Sequence, residues 1–228
     1  NAGRFEAEAL QLLQELFGEH EKLILAGGSG LFIDAVCKGL DELPQADPEI
    51  RKALNSRHLA SGLEPLREML KAADPLYYGK ADLNNPQRVI RALEVFLATG
   101  KPYSSFLKKQ TPGRPFRTLK FAIDMERAEL YSRINSRVDE MIAAGLIEEA
   151  RQVYPHRHLK TLETVGYSEL FEYFDGKISF EEALELIKRN TRRYAKRQIT
   201  WLKRDPEMIW LKPGEFHRIP SLADSLGS

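Results

Sequence analysis

The sequence holds a single cysteine, Cys37, among 228 residues. One cysteine excludes an internal disulfide and a zinc cage built on cysteines, and it fits a reducing cytoplasm. No apolar run approaches the roughly 20 residues that a membrane span needs. There is no signal-peptide pattern, so a cytoplasmic protein without a membrane partner is expected. The phosphate-loop pattern Gly-x-x-x-x-Gly-Lys-Ser/Thr is missing too. Gly79-Lys80-Ala81, Gly100-Lys101-Pro102 and Gly176-Lys177-Ile178 each break it. Internal repeats and low-complexity segments are also lacking. The net charge is only +1, so overall charge points to no partner. Acid is lacking locally, however. Residues 188–204 contain Lys188, Arg189, Arg192, Arg193, Lys196, Arg197, Lys203 and Arg204 with no Asp or Glu. Lys108, Lys109, Arg114, Arg117 and Lys120 form a second acid-free stretch. Both are candidate footprints for a polyanion.

The chain is 43% hydrophobic and 29% charged, enough for a globular core. Its organising stretch runs from Lys22 to Ile33. Leu23, Ile24, Leu25 and Ala26 lead into Gly27-Gly28-Ser29-Gly30, and an amphipathic run follows. This predicts a buried strand, a tight turn whose glycines take positive φ, and a helix N-terminus. Free N–H groups at such a terminus suit an anion or a polar ligand edge. Ser29 sits at the N-cap position, where it caps the helix or faces the ligand.

Helices are expected over 4–17, 31–38, from Asp47-Pro48, over 63–73, and from Asn85-Pro86 to Gly100. Asp47 and Asn85 are the caps of their helices. The texture changes at Leu43, and residues 43–117 read as all-helical. A short strand follows at Leu119–Asp124, then a long helical stretch broken near Gly145. Another helix follows Val165-Gly166-Tyr167, a long one runs over 180–204, and a last strand covers Met208–Leu211. Helix, strand and Gly-turn in this order suggest a parallel sheet with helices on its faces. Asn1 runs almost at once into a helical pattern, so the first strand of the fold is expected upstream.

On the 180–204 helix, Leu184, Ile187, Thr191, Tyr194, Gln198 and Trp201 or Leu202 share one face. Arg189, Arg193, Lys196, Thr200 and Lys203 share the other. This face is either simply solvated or lies on a phosphate backbone; solvated faces usually interleave signs, and this one holds no acid. Gln87, Arg88 and Arg91 occupy the first turns of a capped helix, where the macrodipole disfavours cations. An anionic partner, or a salt bridge to Glu94 or Asp82, accounts for them. Arg133 and Arg137 lie one turn apart beside Ile134 and Val138. Glu129 can pair with Arg133, whereas Arg137 has only Glu140 nearby, so Arg137 is a candidate phosphate clamp. His156 and His158 lack ligand neighbours and read as exposed loop residues. Cys37 reads as core rather than nucleophile.

Five stretches together resemble the bacterial tRNA dimethylallyltransferases (tRNA isopentenyltransferases). They are Ile24–Phe32, Leu43–Arg51, Asn85–Lys101, Val165–Tyr167 and Thr191–Lys203, which occur in family order across nearly the whole chain. The resemblance implies a P-loop NTPase-like α/β core, incomplete at the N-terminus, with an all-helical insertion. Residues 1–42 and 118–228 would form the core, and 43–117 a tRNA-binding insertion. It implies transfer of a dimethylallyl group from dimethylallyl diphosphate to N6 of the adenosine beside the anticodon, with Mg²⁺, on a base flipped into a channel. The partners would be the anticodon stem-loop of tRNA and the diphosphate donor, and the protein a monomer. The family's tRNA contacts fall on Ser29, Arg51, Gln87, Arg88, Arg91, Gly166, Tyr167, Lys196, Arg197 and Lys203. Its pyrophosphate-binding arginine falls on Arg137, which implies a role in offsetting charge on the leaving group. Ser29 stands where the family usually has Thr, keeping the hydroxyl, and Glu163 and Ser168 stand where some relatives carry basic residues. The P-loop and the aspartate general base are expected upstream of Asn1, and the chain as given is expected to be inactive alone. Two other readings are an adenylate isopentenyltransferase acting on free nucleotides and a non-catalytic RNA-binding module.

Overall fold

The computed structural model describes all residues except 42, 46, 108–112 and 226–228. Lys108 and Lys109 of the second basic stretch lie outside the described residues. The chain divides into two compact units, Asn1–Leu25 with Leu31–Phe116, and Ala26–Gly30 with Arg117–Ser228.

The first unit is helical. It contains α1 (Ala2–Leu16), α2 (Gly30–Lys38, whose first residue belongs to the second unit), α3 (Pro48–Ser61), α4 (Glu64–Ala73), α5 (Pro75–Tyr78) and α6 (Pro86–Thr99). The caps are where local chemistry puts them. The Asp47 side chain accepts from Glu49 N, and the Asn85 side chain accepts from Gln87 N and Arg88 N. Gly100 closes α6 at φ 70°, a left-handed conformation that a side chain would strain. Both α3 and α4 pack on α6, and Leu54, Leu66, Leu70, Val89, Ile90 and Leu93 fill the space between them. Buried Asp74 caps α5 at Tyr77 N and accepts from Ser104 N at 2.6 Å and Ser104 Oγ at 2.8 Å. That fastens the 3₁₀ turn Tyr103–Phe106 to the bundle.

The second unit carries a two-stranded parallel sheet, β1 (Phe121–Ile123) beside β2 (Ile209–Leu211), with Ala122 opposite Trp210. Its helices are α7 (Arg127–Ala143), α8 (Leu146–Val153), α9 (Tyr167–Phe174), α10 (Phe180–Leu202) and α11 (Ile219–Ser225). Gly145, at φ 104°, separates α7 from α8 as the sequence predicts. Both α7 and α9 pack on α10 around Val138, Leu146, Leu170, Phe171 and Ile187. Lys120 Nζ lies 2.9 Å from both Asp205 and Glu207, and Ile209 N donates to Lys120 O at 2.9 Å. These contacts pin the register of the strand pair.

Two expectations fail. Residues 22–26 form no strand, and Ile24 is 92% exposed. An apolar run becomes a strand only when a neighbour takes its backbone hydrogen bonds, and none does so among the described residues. Gly27, Gly28 and Gly30 do not take positive φ. Two of them are glycine for a different reason, close approach. A Cβ on Gly28 would collide with the Gln198 amide, and one on Gly30 with the Trp201 ring. No described helix is long and apolar enough to cross a membrane.

Candidate functional site

In the first unit, Arg51 and Arg91 converge on one fully buried carboxylate. Glu94 Oε2 accepts from Arg51 Nη2 at 2.8 Å and from Arg91 Nη1 at 3.0 Å. Arg91 Nη2 also donates to Pro44 O at 3.0 Å. The salt bridge to Glu94 that the spacing allows for Arg91 is formed. Arg51 keeps half of its side chain exposed. Gln87 and Arg88 project from the first turn of α6, both exposed, and neither side chain has an ion pair or hydrogen bond among the described residues. Near them the rings of Tyr77 and Tyr103 lie 4.6 Å apart. Burial pushes both phenols above the usual tyrosine range, while the Arg88 charge pulls the other way.

In the second unit, Ser29 is exposed in the glycine loop, and its hydroxyl has no hydrogen-bond partner among the described residues. The loop is held by Gln198 Nε2, which donates to Gly28 O at 2.6 Å. Arg137 lies on α7 in an open concavity lined by Ser132, Arg133, Ser136 and Glu140. Arg133 pairs with Glu129 at 3.0 Å, as the spacing predicts, and Glu140 forms no ion pair with Arg137. The Arg137 guanidinium is exposed and unpaired among the described residues.

Gly166 and Tyr167 open α9. Buried Glu169 accepts from Gly166 N at 2.8 Å and from Asn190 Nδ2 at 2.7 Å, which ties the start of α9 to α10. Tyr167 donates to Glu149, and that bond raises its pKa. On α10, Arg189, Arg193, Lys196, Thr200 and Lys203 are all exposed, as their common face requires. The opposite face is less uniform than its pattern suggests, because Tyr194 is 45% exposed and lies under Arg197.

Of the described cations in the second basic stretch, Arg114 and Lys120 are taken up by contacts within the protein. Arg114 donates to Val36 O at 2.8 Å and Ala35 O at 2.6 Å and pairs with Glu6, so its charge serves the end of α2. Lys120 is held by its two carboxylates, and Arg117 is the one described cation of that stretch left exposed and unpaired among the described residues. His156 and His158 are exposed as expected. Cys37 is half-buried rather than enclosed.

Sequence reasoning missed three partners that shape the site: Gln198, Asn190 and Asn135, whose Oδ1 accepts from Arg192 Nη1 at 2.6 Å. An amide embedded in a run of cations was the available signal for the first two. Glu94 was legible only as one salt-bridge option, although an acid between Leu93 and Val95 already implies a buried charge.

Residues 1–205 match the family model of the IPP transferases. The chain is 50% identical over 212 residues to a tRNA dimethylallyltransferase of Christiangramia forsetii, covering 93% of this chain and 70% of that protein. It is 48% identical over 225 residues to a tRNA dimethylallyltransferase of Cytophaga hutchinsonii, covering 99% and 74%. Among solved structures, the full-length tRNA isopentenylpyrophosphate transferase of Bacillus halodurans superposes with a TM-score of 0.61 at 34% identity, over 93% of this chain and 67% of that one. A eukaryotic dimethylallyltransferase captured acting on tRNA gives 0.75 at 21% identity, over 98% and 60%, and bears on the fold alone. The fold is thus an α/β architecture with a largely helical part. The chain belongs to the IPP transferase family.

Proposed function

We propose that this protein transfers a dimethylallyl group from dimethylallyl diphosphate to the N6 amine of the adenosine beside the anticodon of tRNA. The observation that carries this reading is the 50% identity, over 93% of the chain, to a protein named tRNA dimethylallyltransferase. The N6 nitrogen attacks C1 of the allyl group. The C1–O bond breaks with its electron pair going to diphosphate, and the N6 proton is lost to a base. Arg137 stabilises the charge that appears on the leaving diphosphate. Its unpaired guanidinium supports this role, as do the Ser132 and Ser136 hydroxyls in the same concavity.

Ser29, Gln87, Arg88, Lys196, Arg197 and Lys203 contact the RNA, a reading supported by their exposure. Arg51 joins them through its exposed half, Arg91 completes the Arg51–Glu94 group, and Gly166 and Tyr167 present the start of α9. Residues 1–42 and 118–228 belong to the catalytic core and 43–117 to the insertion. The protein acts as a monomer in the cytoplasm. The family resemblance brings Mg²⁺ with it. Among the described residues no three His, Cys, Asp or Glu side chains gather as a metal site.

The test is incubation of the full-length protein with dimethylallyl diphosphate and either an anticodon stem-loop or AMP, followed by mass analysis of the nucleosides. Prenylation of the stem-loop adenosine is expected. Prenylation of AMP alone would favour the free-nucleotide reading, and RNA binding without any product would leave a binding module.

A further inference from the structure

The acid-free run on α10 divides according to what its cations touch. Lys188 Nζ lies 2.7 Å from Asp139, and Arg192 Nη1 donates to Asn135 Oδ1 at 2.6 Å. These two cations face α7 and join the helices. Arg197 and Arg204 lie over the rings of Tyr194 and Trp201, at 5.6 and 5.8 Å from the centroids. Arg189, Arg193, Lys196 and Lys203 do neither. All four are exposed, and among the described residues none has an ion pair or ring partner. With Thr200, whose hydroxyl turns back to Lys196 O at 2.8 Å, they form one face of the helix.

At a rise of 1.5 Å per residue the stripe from Arg189 to Lys203 is about 21 Å long. Like charges one turn apart on a helix destabilise it when nothing lies against them. A chain of anions laid along the stripe removes that repulsion.

We propose that this stripe is a track for consecutive RNA phosphates. Arg189 and Arg193 extend the contact beyond the Lys196–Lys203 segment, by charge rather than by base recognition. The proposal rests on the tRNA reading above and adds two residues and a direction to it.

The experiment measures tRNA affinity against salt for the whole protein and for the double variant Arg189→Gln, Arg193→Gln. Each phosphate contact contributes about 0.7 to 0.9 to the slope of log K against log salt, so the slope should become shallower by roughly 1.4 to 1.8. The double variant Arg189→Lys, Arg193→Lys should restore the wild-type slope, because a phosphate track needs charge and not the guanidinium fork. Each single Gln variant should move the slope by about half as much, which keeps the test open if the double variant melts early. A wild-type slope in the Gln variants overturns the proposal, as does a slope that Lys fails to restore. Prenylation is scored in parallel. Wild-type protein that binds tRNA with the expected slope but makes no product overturns the catalytic reading and leaves the track standing. Wild-type protein with no salt-dependent tRNA binding overturns the track.

Discussion

Gln198 Nε2 donates to the Gly28 carbonyl at 2.6 Å, joining residues 170 positions apart. One turn further along α10, the Trp201 ring lies against Gly30. The glycine loop is therefore shaped by α10, and its glycines are the residues that let α10 come so close.

Adding a methyl group at either glycine tests this. At Gly28 the Cβ meets the end of a flexible amide, which can turn away and lose one hydrogen bond. At Gly30 it meets an indole ring that has to move as a whole. Overpacking of this kind costs about 1–3 kcal/mol. Gly30→Ala should lie near the top of that range and Gly28→Ala near the bottom. Denaturant midpoints measure the order, and a reversed order would refute the steric account.

The Glu94 group should behave non-additively. Arg51→Ala or Arg91→Ala alone leaves the buried carboxylate one guanidinium, but together they leave it none. Glu94 Oε1 has no hydrogen-bond partner among the described residues, so it offers no compensation. The double variant should lose more stability than the two single variants summed, by about 0.5–3 kcal/mol. Arg91→Ala should be the worse single change, because it also breaks the bond to Pro44 O. Urea unfolding of the four proteins gives the cycle, and simple additivity would show that the carboxylate tolerates solitude.

Arg137→Ala should separate binding from chemistry. If the guanidinium meets charge that develops only as diphosphate leaves, kcat falls about 10²- to 10³-fold, the usual effect of removing one preorganised donor. The tRNA dissociation constant should stay where it was. A parallel loss of tRNA affinity would place Arg137 on the RNA instead, and no loss of either would remove it from the site.

The strand pair should have a signature at high pH. Burial pulls Lys120 down, but its hydrogen bonds and charge contacts with Asp205 and Glu207 outweigh burial and lift its pKa above the ordinary lysine value. A raised pKa on a cation means that its contribution to stability is complete below the unfolded-state pKa and is lost as pH rises through the folded-state value. Lys120→Met should thus destabilise equally at pH 6 and pH 9. The difference from wild type should shrink only above the ordinary lysine range. Thermal melts across that range measure it, and a penalty that fades near neutrality would contradict the assignment.

The helices were legible because their signals are short-ranged. Asp47 and Asn85 cap N–H groups two or three residues away, and Gly100 ends α6 with its own backbone. The strand expected at 22–26 was not decidable in the same way, because its apolar residues describe a surface while pairing requires a second chain segment. Arg114 and Lys120 show the same limit. Their run lacks acid, but Glu6, Asp205 and Glu207 reach these two cations from far along the sequence.

What the sequence determined by itself was the helix boundaries, the apolar stripes and, through five motifs in order, the family. These depend on neighbours within one or two helical turns or on residue identity alone. Only the tertiary structure decided which cations are free. Lys188 and Arg189 are adjacent in the chain, yet one is paired with Asp139 and the other faces outward. It also decided why Gly28 and Gly30 must be glycine. Charge pairing and close approach are set by distance in space, and α10 brings to the loop side chains about 170 residues away.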